Sequence, residues 1–429
     1  MSAAAPVTAK KTIGEMRAAR AALAGRSRTA VGATVPGESV FKGVKRGEER
    51  EHLKFRLSPT HVTYANVLRR TMITDVETVG FRADILPDGS TADVKIVKNS
   101  TPMSNEMLAH RIGLLPIHVT KPLEWKPDVF TFKLNVTNES GEPRDVTAAD
   151  IEILQDRGPE EEPLRVPNVQ FFHPNPITKE TCLLAVLKGK AGLQEAESLE
   201  FTAKATVGTG RENARFMPVT SRCAYGYTLD TDPERRAELF NRWLTTHKNV
   251  GSPTELDGDK RQQFEREFQT MEVQRCYLMN DQGEPYSFDF TVESVGVLDP
   301  VYVVTRALEL LQAKLLRFAS IDAGDLPEGL RVVPAEIRGP LFDFVFQKED
   351  HTLGNLLQTW LEQNHYDSGE ITFAGYKVPH PLRDEMVLRV GVEDAKELTA
   401  RAMVAKAARG AAQMFREWAA NWAASTATL

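Results

Sequence analysis

The sequence predicts an α+β protein of two related sheet-and-helix units paired within one chain, the first interrupted by a β-rich insertion. Three observations carry this: a strand-turn-helix pattern that occurs twice in one register, a long amphipathic helix closing each copy, and a strand-rich stretch found only in the first copy. At 429 residues the chain exceeds the roughly 150 residues of an ordinary single core, so two or three domains are expected.

The first strand is Leu53-Lys54-Phe55-Arg56-Leu57, whose alternation of apolar and basic side chains describes a sheet with one buried face. Ser58-Pro59 ends it, and Thr63 to Met72 follows, with Tyr64, Val67, Leu68 and Met72 on one helical stripe and Arg69 and Arg70 outside it. The same unit returns as Phe342-Asp343-Phe344-Val345-Phe346 and Thr352-Leu353-Gly354-Asn355-Leu356-Leu357. Phe344 follows Phe55, and Asn355 follows Asn66, by the same 289 positions, so strand and helix keep one register in both copies.

Each copy closes with a long helix. Asp299-Pro300 supplies an N-cap and a first-turn proline, and Val304, Leu308, Leu311, Leu315 and Phe318 then step by four and three residues. In the second copy Val404, Ala408, Ala411, Phe415, Trp418 and Trp422 step alike. Such stripes face a core or a partner, and two copies in one chain offer each other that partner. An internal pseudo-dimer is therefore expected, with Val304, Leu308, Leu311, Leu315, Phe415, Trp418 and Trp422 in its interface. Between the first helix and the first long helix, Val129 to Val136, Cys182 to Leu187 and Leu199 to Ala205 read as strands of an inserted domain. The resulting division is a flexible basic arm at 1–47, a first unit at 48–90 and 206–330, an insertion at 91–205 and a second unit at 335–429.

Composition narrows the function classes. A hydrophobic fraction of 41% and no apolar run near the ~18 residues of a membrane span indicate a soluble chain. A formal charge of −6 argues against a surface built to neutralise phosphates, despite Lys10, Lys11, Arg17, Arg20, Arg26 and Arg28 in the arm. Cys182, Cys223 and Cys276 are too far apart for a Cys-x-x-Cys pair, so neither a disulfide framework nor a zinc ribbon is expected. No apolar signal core opens the chain. Gly208-Thr209-Gly210-Arg211 lacks the full phosphate-binding patterns and reads as a strand-connecting turn, while Asp350 beside His351 reads as a capping residue. Glu106 with His110-Arg111 reads as a buried ion pair or a subunit contact. No Asp-x-Asp-x-Asp string offers a two-metal centre, so no catalytic residue is expected.

Several strings carry a family resemblance. Tyr64-Ala65-Asn66-Val67-Leu68-Arg69-Arg70, the Ser104 to Ile117 segment with Asn105-Glu106 and Ala109-His110-Arg111, and Phe288 to Gly296 resemble the larger partner of the α-type assembly subunits of cellular RNA polymerases. These comprise bacterial α, archaeal D and L, and eukaryotic subunits three and eleven. Lys348 to Leu357 and Phe373 to Leu382 resemble the smaller partner. The resemblance runs from about Glu48 to the C-terminal helix and implies two α-type dimerisation units on which the largest and second-largest polymerase subunits assemble. By the resemblance, Asn66, Arg69, Arg70, Asn105, Glu106, His110, Arg111 and Asn355 face partners, with Arg69 and Arg70 toward the second-largest subunit, and small zinc-binding subunits are further partners. A guanidinium fork suits such an interface. Gln358 and Thr359 stand where the first copy has those arginines, so the copies are not equivalent. The cysteine-rich metal loop of many larger partners is missing, Cys182 being the one cysteine of the insertion, so neither metal nor cofactor is expected.

Fusion of both partners in one chain resembles the arrangement in some large cytoplasmic DNA viruses. It implies an intracellular protein, in the host cytoplasm and virion if viral and otherwise in the nucleus, with little direct DNA contact. Two rivals are a DNA-binding transcription factor using the same unit, and a nucleotide hydrolase using the Gly-rich turn.

Overall fold

A computed structural model describes residues 39–47, 51–86, 91–158, 161–251, 257–336, 339–427 and 429. Most of the expected basic arm, residues 1–38, lies outside them. In the first unit, strands β1 (Phe41–Arg46), β2 (His52–Leu57), β12 (Ala224–Tyr227) and β13 (Phe288–Glu293) form an antiparallel sheet of order β1-β2-β13-β12. Helices α1 (Val62–Thr74) and α5 (Pro300–Leu316) accompany it. In the second unit, β14 (Leu330–Pro334), β15 (Leu341–Gln347), β16 (Phe373–Lys377) and β17 (Glu385–Gly391) repeat that order as β14-β15-β17-β16, with helices α6 (His351–Leu361) and α7 (Glu397–Thr426).

The register repeats as well as the order. Phe41 pairs with Leu57 and Phe55 with Phe290; in the second sheet Leu330 pairs with Phe346 and Phe344 with Leu388. Both opening strands correct the expected boundaries. β1 falls inside the stretch read as a flexible arm, and β14 precedes residue 335, where the second unit was expected to begin. A bulge between Lys42 and Lys45, with Gly43 at φ 58°, breaks the alternation in β1 and gives it the look of a basic tail.

The apolar stripes account for the packing. Val304, Leu308, Leu311 and Leu315 of α5 and Val404, Ala408, Ala411, Phe415, Trp418 and Trp422 of α7 are all buried. They belong to a core that also holds Phe41 and Phe55 of the first sheet and Phe344 of the second. α5 lies along α7, and α1 lies against α6. Phe41 meets the Trp422 ring edge-on at 4.9 Å, so the first strand of one unit rests on the last helix of the other. Asp299 caps α5 as expected, its carboxylate accepting from the Val301 N–H at 2.8 Å.

A second core lies between Val79 and Ala205. It is built on a five-stranded sheet of order β4-β10-β5-β7-β8, namely Val94–Asn99, Ser198–Ala203, Phe130–Thr137, Glu152–Gln155 and Leu164–Val166. The short helix α2 (Asn105–Gly113) and the pair β6 (Arg144–Thr147) with β9 (Leu183–Leu187) complete it. β3 (Glu77–Gly80) and β11 (Thr206–Thr209) pair at its base. A helical hairpin, α3 (Pro233–His247) and α4 (Gly258–Glu267), was not expected; Phe240, Trp243, Leu244, Phe268 and Cys276 give it a small core of its own.

Candidate functional site

The seam between α1 and α6 is where the two units exchange polar contacts. Each helix opens on a side-chain cap: His61 Nδ1 accepts from the Thr63 N–H at 3.2 Å, and Asp350, 289 positions later, accepts from the Thr352 N–H at 2.8 Å. Thr63 meets Thr359 hydroxyl to hydroxyl at 3.1 Å. Shifted by the same 289 positions and with the roles exchanged, Arg70 donates to the Thr352 hydroxyl at 2.7 Å. One contact is thus made twice, once by a threonine and once by an arginine. Asn355 adds a donor to Thr63 at 3.2 Å, and the Tyr64 hydroxyl donates to Gln363 at 2.8 Å. Burial pushes the Tyr64 phenol far above its usual range, so it stays a donor.

An ion network continues the seam. Arg70 reaches Asp350 at 3.0 Å; Arg211 reaches Asp75 at 3.2 Å and Asp350 at 3.5 Å; Lys314 reaches Asp75 at 2.9 Å and Glu349 at 3.5 Å. Burial raises the Asp75 carboxyl, but Lys314 and Arg211, with the Thr74 hydroxyl, outweigh it and hold the group below its ordinary value. Glu349 goes the other way, because burial outweighs its pairing with Lys314. Two carboxylates a few residues from the same cations therefore respond in opposite senses.

Arg211 was the one residue of the Gly-rich turn with a conceivable phosphate role, and the network assigns it to Asp75 and Asp350 instead. The turn's glycines answer to packing: a Cβ on Gly208 would lie 2.7 Å from the Phe216 ring, and one on Gly210 would collide with the Ile73 carbonyl. The Cys223 thiol is buried, which pushes it up to about 12, and Cys276 is also buried while Cys182 is exposed. Among the described residues no cluster of histidine, cysteine and carboxylate side chains could hold a metal ion, and no helix is long and apolar enough to cross a membrane.

The structure separates the expected partner-facing residues into two sets. Arg70 and Asn355 turn into the seam, as above. Asn66 and Arg69 remain together on the outer side of α1, Arg69 donating twice to the Asn66 amide oxygen at 3.0 and 3.1 Å. Asn105, Glu106, His110 and Arg111 are exposed on α2, which corrects the buried-ion-pair reading: Arg111 donates to the Leu183 carbonyl at 3.1 Å. Glu106 is held below its ordinary value by its own backbone N–H and by Ser104, the residue that caps the helix. A shallow depression of about 430 Å³ runs along α2, lined by Met103, Glu106, Met107, His110, Arg111 and Leu114. Met107 is 63% and Leu114 56% exposed, while Leu108, Ala109 and Ile112 on the other side are buried. Sequence reasoning missed Asp75, Lys314 and Glu349, whose pattern along the chain carries no local signal.

Strand order, register and reciprocal seam contacts define the chain as a tandem of two sheet-and-helix units of one kind. The description "RNA polymerase Rpb3/Rpb11 dimerisation domain" matches residues 54–315 and again residues 342–420. The first match alone takes in more than half of the sequence, and the chain belongs to that family. Among its relatives is the DNA-directed RNA polymerase subunit Rpo3 of Pyrococcus furiosus, 26% identical over 291 residues that cover 64% of this chain and 94% of the relative. DNA-directed RNA polymerase II subunit rpb3 of Dictyostelium discoideum is 24% identical over 318 residues, 66% of this chain and 93% of the relative. A conjugation stage-specific protein of Tetrahymena thermophila is 22% identical over 291 residues, covering 61% and 88%.

Proposed function

We propose that the chain is the non-catalytic assembly platform of a multisubunit DNA-directed RNA polymerase, holding the two largest subunits together. In this reading it is an internal heterodimer of a subunit-three-like half carrying an inserted β-rich domain and a compact subunit-eleven-like half. The observation that carries it is the seam contact made twice with exchanged roles, Thr63 to Thr359 and Arg70 to Thr352, which is how an isologous two-fold interface behaves. Joining the halves in one chain replaces a bimolecular encounter with an intramolecular one and sets their ratio at one to one.

The second-largest subunit docks on the first unit through Arg69 with Asn66 on α1, and through Asn105, Glu106, His110 and Arg111 on α2. The exposed Met107 and Leu114 give that surface an apolar content that a solvated helix face lacks. The largest subunit docks on the second unit, and small zinc-binding subunits complete the assembly. Arg70 and Asn355 serve the internal seam.

The test is co-expression with the two largest subunits of the same polymerase, followed by size-exclusion chromatography. A ternary complex is expected, with Arg69→Ala combined with Arg111→Ala weakening retention of the second-largest subunit at least tenfold and sparing the largest. Full retention by the double variant sinks the docking assignment. Failure of the unaltered chain to hold either subunit sinks the platform reading.

A further inference from the structure

The two sheets present different faces away from their helices. Partners in register share a face of a sheet. On unit one the outward rows are Lys42-Arg56-Asp289-Gly226 and Lys45-Lys54-Thr291-Ala224, polar almost throughout. The matching rows of unit two are Arg331-Val345-Val387-Lys377 and Val333-Asp343-Arg389-Gly375, followed by Leu341-Gly391-Phe373. Their centre is apolar, and Val333 and Phe373 are 41% and 45% exposed.

The charges on this face have a simple arrangement. Asp343 and Arg389 close on each other through two bonds of 2.6 and 2.7 Å, and Glu336 lies near that arginine, so the middle of the sheet is neutralised from within. Arg331 and Lys377 stand exposed at the two ends of the Val345-Val387 row, and among the described residues neither pairs with a carboxylate. Three strand spacings separate those ends, about 14 Å. The face is therefore an apolar strip with one unanswered cation at each end.

We propose that this outer face of unit two is the docking surface for the largest polymerase subunit, filled by a segment with an apolar centre and a carboxylate at each end. The proposal rests on the platform reading above and deepens it. Charge complementarity selects the occupant. A nucleic-acid backbone gains nothing from the apolar centre, and a second copy of this chain would bring its own Arg331 and Lys377 against these two cations. Unit one supplies the internal contrast, since the position matching Val345 is Arg56, already paired with Asp289 at 2.7 Å.

The experiment uses the full chain and the largest subunit of the same polymerase, with affinity measured at low and moderate salt. Val345→Arg places on unit two the residue that unit one carries at the equivalent strand position. Arg331→Glu with Lys377→Glu reverses both ends of the row. Each variant is expected to bind the largest subunit at least tenfold more weakly, with an unchanged thermal midpoint, while Arg56→Val on unit one binds as the unaltered chain does. Binding within twofold by both variants overturns the proposal, and loss with Val345→Arg alone overturns the acid-ended partner. If the unaltered chain fails to bind, the platform reading falls and this proposal with it.

Discussion

At the seam, unit one offers His61, Arg69 and Arg70 where unit two offers Asp350, Gln358 and Thr359, although the backbone around them repeats in register. Positions 70 and 359 perform the same task, each meeting the first-turn threonine of the opposite helix. Arg70 also spans to Asp350. The shared geometry lets the halves pair. The substituted residues give the pair a direction, since ion pairs gather at one end of the seam and buried hydroxyls at the other. A symmetric homodimer has no means of presenting two different surfaces to two different neighbours; these halves do.

The comparison breaks first at the shared core. Leu308 is fully buried, and Leu308→Asp places a carboxylate there at a cost of about 5 kcal/mol. Because residues of both sheets and both long helices share that core, the variant is expected to unfold or aggregate as a whole, with loss of the far-ultraviolet helical signal and of solubility. Survival of unit two as a separate unfolding transition in urea would show that the halves are independent. Ala408→Leu, at a fully buried position of the opposing stripe, is the milder version at about 2 kcal/mol from overpacking.

The ion network offers a contrast of sign. Asp75 is stabilised as a carboxylate, so its contribution is present above its ordinary value of 3.8 and is lost as pH falls through the depressed folded value. Asp75→Asn is expected to cost about 2 kcal/mol at neutral pH and to flatten the acid limb of the stability curve. Glu349, raised by burial, holds its proton more tightly when folded, so its ionisation costs stability as pH climbs past 4.5. Glu349→Gln is expected to be neutral or stabilising at neutral pH. Urea midpoints measured across pH check both, and equal losses from the two substitutions would refute the asymmetry.

How much of this was legible in the sequence depended on whether the signal was local. Leu53 to Leu57 announced a strand because one face is buried at every second residue, and the repeat at 289 positions announced its twin. Phe41 to Arg46 was read as an arm because its bulge destroys the alternation by which strands are recognised. The α3–α4 hairpin had a visible helical triplet in Phe240, Trp243 and Leu244, overlooked because the whole of 206–330 was given to one unit. Arg211 carried no readable signal, since Asp75 lies 136 positions away and only folding brings them together. Arg69 and Arg70 are neighbours in sequence with one expected role, yet the helix turns one to solvent and the other to the seam.

That last division can be tested directly. Arg70→Thr makes the two reciprocal contacts alike and is expected to cost about 1 kcal/mol, the figure kept low because the side chain is 36% exposed. Arg69→Ala is expected to leave stability within about 0.5 kcal/mol, since it loses only the Asn66 contact on the helix surface. Thermal melts of the two single variants decide the matter. A larger loss from Arg69→Ala than from Arg70→Thr would exchange their roles.

The smallest effect concerns the two caps. His61 can accept from the Thr63 N–H only while its Nδ1 is unprotonated, whereas Asp350 accepts from Thr352 as a carboxylate. Burial pushes the His61 imidazole below 6.5 against the opposing pull of Glu284, so the fold prefers the neutral ring. A histidine lowered in this way contributes stability that is present above its unfolded value and is lost as pH falls through it. Between about pH 7 and pH 5 the chain is therefore expected to lose about 1 kcal/mol, the usual worth of a helix cap. The α1 turn that loosens carries Thr63 and Tyr64, so the loss falls on the seam. His61→Asp copies the cap of unit two, and Asp350 is itself held below its ordinary 3.8 despite burial, by Thr352 and then Arg211 and Arg70. The variant's urea midpoint should stay level across that window while the unaltered chain's declines. Parallel slopes would mean that the two caps respond alike to acid and that the units differ at the seam only through Arg70 and its ion pairs.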